Sequence, residues 1–267
     1  MKEMKIVLQS LRMSMLSHLQ YRADSIVATL AVFLREATSI IVIYLTLMKF
    51  DHINGWNVNE MLFLFSLLFI TYSIIVILFA DLRDFSRMIR EGRFDRLLVR
   101  PRGVLCQLIA NHSDIIAAIG HGMLGTILFI VSAGRVGVVW NVSTVVYYIS
   151  TIISGVLIQG GMFIIFSALS FYFVETNSIR DVFYWNMRKF AGYPIGIYNK
   201  LIQGIMIYVV PFAFVNYFPA QYLLRKADMA QYPAIYMYIP PVVGIVVYVI
   251  AYVFWRVSIR FYKSTGN

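Results

Sequence analysis

Arg35 and Glu36 stand side by side in the otherwise apolar or weakly polar stretch from Ser25 to Met48. As a helix this stretch carries both about 15 Å from its start, deep enough to be inside a bilayer. A guanidinium and a carboxylate at that depth have two uses. They can hold helices together by ion pairing, or they can touch a charged substrate. Either way each is expected to face the interior and to find a partner, because a charge at the bilayer centre costs about 2.5 to 3.5 kcal/mol on insertion scales. Neighbours on a helix point about 100° apart, so the two are not expected to satisfy one another. Little else suggests bond-making chemistry. His112 and His121 lie nine residues apart on opposite helix faces and make no metal pair. The chain has one cysteine, Cys106, which excludes an intrachain disulfide and a multi-cysteine metal site. There is no GxxxxGK[ST], HExxH or Gly-x-Ser-x-Gly, so neither ATP hydrolysis nor those hydrolase chemistries is expected of this chain.

The elements that must position Arg35 and Glu36 are membrane spans. The chain has 267 residues, 60% hydrophobic and 13% charged, outside the range of soluble domains, and no hydrophilic block is long enough for a second domain. One transmembrane domain over residues 1 to 267 is expected. Its formal charge of +10 comes from basic residues in short loops, which argues for orientation in a membrane rather than for nucleic acid. Residues 1 to 22 place Met4, Val7, Leu8, Leu11, Met15 and Leu19 at helical spacing, as in an interfacial amphipathic helix. Lys2 and Lys5 are not followed directly by an apolar stretch with a cleavage site, so no signal peptide is expected.

Six spans follow. The first is Ser25 to Met48. Asn57 with Glu60 has the spacing of a capping box that opens the second, Met61 to Ala80. The third runs near Leu105 to Ala133, with Ala118, Gly122 and Gly125 as small surfaces for a neighbouring helix and Asn111 and Asp114 as polar contacts. The fourth starts near Ser143. Glu175 to Lys200 is a second basic stretch, assigned to the basic side, and the fifth span is expected from Leu201, interrupted by Pro211 and Pro219. Tyr217, Tyr222, Tyr232, Tyr236 and Tyr238 suggest an outer aromatic belt, and Pro240-Pro241 opens the sixth span. On this arrangement eighteen Lys and Arg fall on one side and four on the other, with Arg35 inside, which predicts both termini in the cytoplasm.

The longest hydrophilic run, residues 81 to 103, carries seven arginines. Around Gly92 it repeats an apolar stripe, Phe85/Met88/Ile89 and then Phe94/Leu97/Leu98, as two short amphipathic helices. Gly92 suits the end of the first, and Pro101 stops the second near Arg100. The pattern fits a helix that docks a cytoplasmic partner, with Phe94, Leu97 and Leu98 entering the partner's groove and the arginines steering.

EGRFDRLLVRP in this loop, YPIGIY from Tyr193, and VVPFAFVNYFPAQYLL from Val209 resemble the type 2 permeases of ABC transporters. The likeness is strongest to a bacterial exporter branch that pairs two related six-helix permeases with a separate ATPase. The resemblance covers essentially the whole chain. It implies a multi-pass subunit of the cell's inner (plasma) membrane that supplies half of a translocation path. ATP and Mg would be held by the partner ATPase, with no cofactor on this chain. It implies a second permease as partner, a related chain before a second copy. It also implies a coupling element over Glu91, Gly92, Arg93, Phe94, Asp95, Arg96, Leu97 and Leu98, and an extracellular or re-entrant segment over residues 211 to 238, marked by Pro211, Asn216 and Pro219. A secondary carrier or channel with a regulatory basic loop, and a membrane scaffold, are the other function classes that the residues allow.

Overall fold

The structure, a computed structural model, describes residues 22–50, 52–173, 175–226 and 232–264. It is helical throughout, with no strand among the described residues. Among the described residues five helices are long and apolar enough to cross a membrane: α1 (Arg22–Phe50), α2 (Val58–Leu78), α7 (Ile115–Ala133), α8 (Val142–Leu169) and α13 (Pro240–Ser258). A further pair, Lys200–Val209 and Phe212–Leu224, meets the same criteria together but is bent by 71° at its break. The interfacial helix expected over residues 1 to 22 lies outside the described residues except for Arg22, the first residue of α1.

Local signals explain the boundaries. Asn57 and Glu60 form a complete capping box, with the Asn57 side chain accepting from Glu60 N at 3.0 Å and Glu60 Oε2 accepting from Asn57 N at 2.9 Å. Asn141 and Thr144 repeat the device at the start of α8. The expected third span is divided. A helix α6 (Val104–Asn111) ends at His112, whose extended backbone breaks the run, and Asp114 restarts it by accepting from Ala117 N at 3.1 Å.

The bundle is built around α2, buried along most of its length, with α7 and α8 against it and α13 against α8. α1 packs chiefly on α7 and leaves most of its surface outside. Small residues set the close crossings: a Cβ at Gly125 would lie 2.9 Å from the backbone nitrogen of Ile70, and one at Gly244 would lie 3.0 Å from Ser154 Cα. Inside the bundle Gln159 donates to Thr71 Oγ1 at 2.8 Å and accepts from the Tyr184 hydroxyl at 3.0 Å, so these three buried polar groups satisfy one another.

Residues 175 to 200 correct the sequence expectation. Glu175 pairs with Arg90, and Ser86 is bonded to Asn177, both at the end of the bundle that holds the arginine-rich loop. Asn177–Phe190 then runs as an α10 that contains a π-helical stretch, Asp181–Asn186, rising about 21 Å over its fourteen residues. Phe65, close to the N-terminus of α2, packs on Gly192, and Gly196 abuts Asn54 in the loop between α1 and α2. This stretch therefore passes from one end of the bundle to the other and does not remain on the basic side. Charge counting misplaced it because Arg188 and Lys189 lie within the passage.

The irregular segment that follows is buried in protein, as irregular backbone at membrane depth must be. Val210, Phe212, Ala213, Phe214 and Val215 are all inside. Pro211 makes the break, whereas Pro219 is accommodated in the first turn of α12 (Tyr217–Leu224). Asn216 is fully buried and donates to Ala191 O at 2.6 Å. At its far end Lys226 bonds Gly55 O at 2.7 Å and Glu60 at 2.6 Å. An apolar groove of about 480 Å³ opens beside Pro211, lined by Met162, Tyr208, Phe214 and Val247 among others.

Candidate functional site

The loop of residues 81 to 103 folds as α3 (Ala80–Arg83), α4 (Phe85–Arg90) and a single turn α5 (Asp95–Leu98). Gly92 takes φ +65°, a left-handed conformation that glycine adopts without strain, and reverses the chain after α4: its N–H bonds Ile89 O and the next one bonds Met88 O. Glu91 is gripped by Arg87 and Arg93, each at 2.7 Å, and these ion pairs hold its carboxyl below the ordinary range.

The first apolar stripe, and Phe94 and Leu97 of the second, point at this chain's own bundle. Phe94 is fully buried in an aromatic cluster with Phe85 (ring centres 5.1 Å apart), Phe171 (5.6 Å) and Tyr262 (4.9 Å), and Trp255 closes the group at 5.3 Å from Phe85. Leu97 is buried as well, and its carbonyl accepts from Gln107 Nε2 of α6 at 3.1 Å. The expectation that Phe94 and Leu97 enter a partner's groove is thus corrected: a side chain already packed inside its own chain has no apolar surface to offer. What remains outward is Leu98, Val99 at 84% exposure, and the exposed arginines Arg93, Arg96, Arg100 and Arg102. Asp95 faces the C-terminal segment, accepting from the Tyr262 hydroxyl at 2.5 Å and from Ser264 Oγ at 2.7 Å. Those two hydrogen bonds hold the Asp95 carboxyl below its ordinary value, while burial and the neighbouring carboxylate push Tyr262 up to about 12.

The loop is tied to the rest of the bundle on every side. Arg83 pairs with Asp114 at 3.3 Å, Ser167 Oγ bonds Leu82 O at 3.0 Å, and Arg180 bonds the carbonyl of Arg83. The sequence expectation of Asp114 as a polar contact between helices is met by that ion pair.

Arg35 and Glu36 separate in the structure. Glu36 turns inward with a side chain 16% exposed, and its Oε1 lies 3.5 Å from Nε2 of buried His121. Arg35 points outward, 67% exposed, and its long side chain curls back to Glu36 at 2.9 Å. Two expectations are corrected here. The neighbours do meet, because a guanidinium on a flexible stem reaches around the 100° offset, and Arg35 does not face the interior. Sequence reasoning missed the groups that complete this region: His121, Tyr72, Trp185 and Arg188, which stacks over the Tyr72 ring at 4.1 Å. The usable signal was Arg188 embedded in an aromatic-rich stretch, VFYWNMRKFAGYPIGIY, that is too apolar for an ordinary loop. Pro211, Asn216 and Pro219 sit together around the break, and Asn216 joins that segment to the end of α10, through Ala191 O, three residues beyond Arg188.

The described residues hold no group of three or more His, Cys, Asp or Glu that could bind a metal ion. Comparison with curated proteins and with solved structures finds no match. A family model described as "ABC-2 family transporter protein" matches residues 33–266, the greater part of the chain and including the loop, the broken segment and α13. With that match across nearly all of its length, the chain belongs to the ABC-2 transporter family, a transport membrane component with several apolar helices.

Proposed function

We propose that this chain is the membrane permease of an ATP-driven exporter, crossing the inner (plasma) membrane six times with both termini in the cytoplasm. The fifth crossing is assigned to residues 177 to 196, and the bent pair from Lys200 to Leu224 folds back at the outer end. Moving Arg188, Lys189 and Lys200 off the cytoplasmic side leaves fifteen Lys and Arg there, so the charge asymmetry still favours this orientation. ATP and Mg belong to a separate ATPase, and a second permease, a related chain before a second copy, completes the path.

The observation that carries this reading is the two-sided construction of the arginine-rich loop. Phe94 fastens it to the ends of α8 and α13 and Leu97 to α6, while Leu98 and Val99 stand outside between exposed arginines. An exposed apolar pair inside a basic rim is the pattern of a protein contact, with the apolar centre supplying affinity and the charges supplying steering. A loop serving only to orient the chain in the membrane needs the arginines and has no use for Val99 in water.

The test is copurification with the ATPase and cargo-stimulated hydrolysis at equal membrane abundance. Val99→Asp should lose the ATPase, because it places a carboxylate in the centre of the contact, while Arg102→Ala trims a solvated rim charge and should weaken binding by a few-fold at most. Wild-type copurification and hydrolysis by V99D would remove the docking role of this loop and favour a carrier or channel with a regulatory loop.

A further inference from the structure

The membrane-depth part of the bundle has more positive than negative charge. Arg188 lies on α10, level with Phe69 and Tyr72 of α2; its guanidinium carbon is 4.1 Å from the Tyr72 ring centre, 5.6 Å from that of Phe69 and 6.0 Å from that of Trp185. Its Nε and Nη2 are buried and have no hydrogen-bond partner among the described residues. The nearby carboxylate, Glu36, is engaged by Arg35 at 2.9 Å and by His121 at 3.5 Å, and acts on Arg188 only through space. Two guanidiniums thus share one carboxylate, and Lys189, next along α10, is exposed and adds a third basic group. Aromatic faces hold a guanidinium in place without neutralising it, and the planar fork keeps the geometry that oxyanions favour.

The other acidic residues of the described spans are at the ends. Asp24 is in the first turn of α1, Glu60 pairs with Lys226, Asp114 pairs with Arg83, and Asp181 pairs with Arg180 near the start of α10. The described spans of a second copy of this chain therefore bring no spare carboxylate to this depth. An ionisable group kept at such cost marks a functional site. We propose that Arg188, with Arg35 and Lys189, binds the acidic headgroup of an amphipathic cargo, a phosphate or carboxylate joined to an apolar body. Leu34, Val182 and Phe183, exposed on the same two helices, offer the apolar surface that such a body needs. The proposal rests on the transport reading and names its cargo class.

The experiment uses the full chain in phosphatidylcholine nanodiscs, without an ATPase, and reads the ligand-induced rise in unfolding temperature. The probes are dodecyl phosphate, dodecanoate, dodecanol, dodecyltrimethylammonium and inorganic phosphate. A saturable rise is expected with either or both of the first two, which separates phosphate from carboxylate preference, and none with the other three. Arg188→Gln should abolish it. Because R188Q can also weaken folding, the double variant Arg35→Gln/Lys189→Gln carries the test independently: read against its own ligand-free melting temperature, it should bind at least about tenfold more weakly, the scale of one lost charge-assisted hydrogen bond. An equal response to dodecanol, to dodecyltrimethylammonium or to inorganic phosphate overturns the proposal, as does a double variant that binds like wild type. No response to any probe also overturns it. If the chain copurifies with its ATPase while these assays fail, the cargo class is wrong and the permease reading stands.

Discussion

Replacing Phe94 by alanine tests whether the arginine-rich loop is an anchored element or a loose connector. Phe94 is fully buried and makes ring contacts with Phe85, Phe171 and Tyr262, so the substitution removes the centre of the cluster that joins α4 and α5 to the ends of α8 and α13. A buried Phe→Ala change costs about 3 to 5 kcal/mol. A loop with seven arginines is too polar for lipid, so that scale, taken from water-soluble cores, applies. The cost falls on local opening of the loop before it falls on the spans, which touch one another through α2, α7 and α8. Hydrogen exchange in nanodiscs is the suitable assay: amides of α4 and α5 should exchange roughly 140 to 4,000 times faster in F94A, since each 1.4 kcal/mol is a factor of ten, up to the limit set by global unfolding. Amides of α2 and α8 should be unchanged. Val99→Ala, at a residue 84% exposed, should change neither set. Equal protection of the loop in F94A and wild type would show that the aromatic cluster does not hold it, and the two-sided construction argued above would fail.

Two further outcomes are expected. In a Cys106→Ser background, cysteines at Asn54, Asn141 and Lys200 should be labelled from outside intact cells and one at Ser178 should not; labelling of Lys200→Cys only after permeabilisation would return residues 175 to 200 to the cytoplasm. Asp95 has its folded pKa depressed by Tyr262 and Ser264, so the stability it contributes is present above its unfolded value of about 3.9 and is lost as pH falls through the folded value. A spin label attached at Lys263→Cys should therefore be immobilised at neutral pH and gain mobility only in acid below about pH 4, whereas Asp95→Asn should be mobile at neutral pH; a tail equally ordered in D95N would refute the tie.

Much of the scaffold could be read from the residues because it depends on local chemistry. Asn57 and Glu60 satisfy each other within one turn, α8 begins at Val142, one residue from the Ser143 expected, and Gly92 needs its left-handed φ whatever surrounds it. The apolar stripes of the loop were also readable, but a stripe says that a face is covered and not by what. Phe94 and Leu97 are covered by residues about 75 and 170 positions away in one case and by α6 in the other, and no periodicity carries that information. Charge counting failed at α10 for the same reason. It assumes that a basic residue lies at an end of the bundle, and Arg188 is held between the ends by Tyr72 and Phe69 of α2 and by Trp185 of its own helix. Arg35 misled in the opposite way: its length let it reach Glu36 from the outer face, an option that Cα geometry alone hides.

The attachments of α10 make it a strut loaded at both ends. Its lower end is bolted to the arginine-rich loop through Ser86 with Asn177 and through Arg180 with the Arg83 carbonyl. Its upper end, at Ala191, hangs from the Asn216 amide, which belongs to the bent segment at the far side of the bundle. Between them the Tyr184 hydroxyl, Gln159 and Thr71 brace its middle against α8 and α2. A rod so clipped transmits a push along its axis more readily than it bends, and the π-helical stretch from Asp181 to Asn186 is where its pitch can change. Displacement of the loop by a few ångströms would reach the opposite mouth of the bundle through a single element of fourteen residues, with one amide hydrogen bond as the last link.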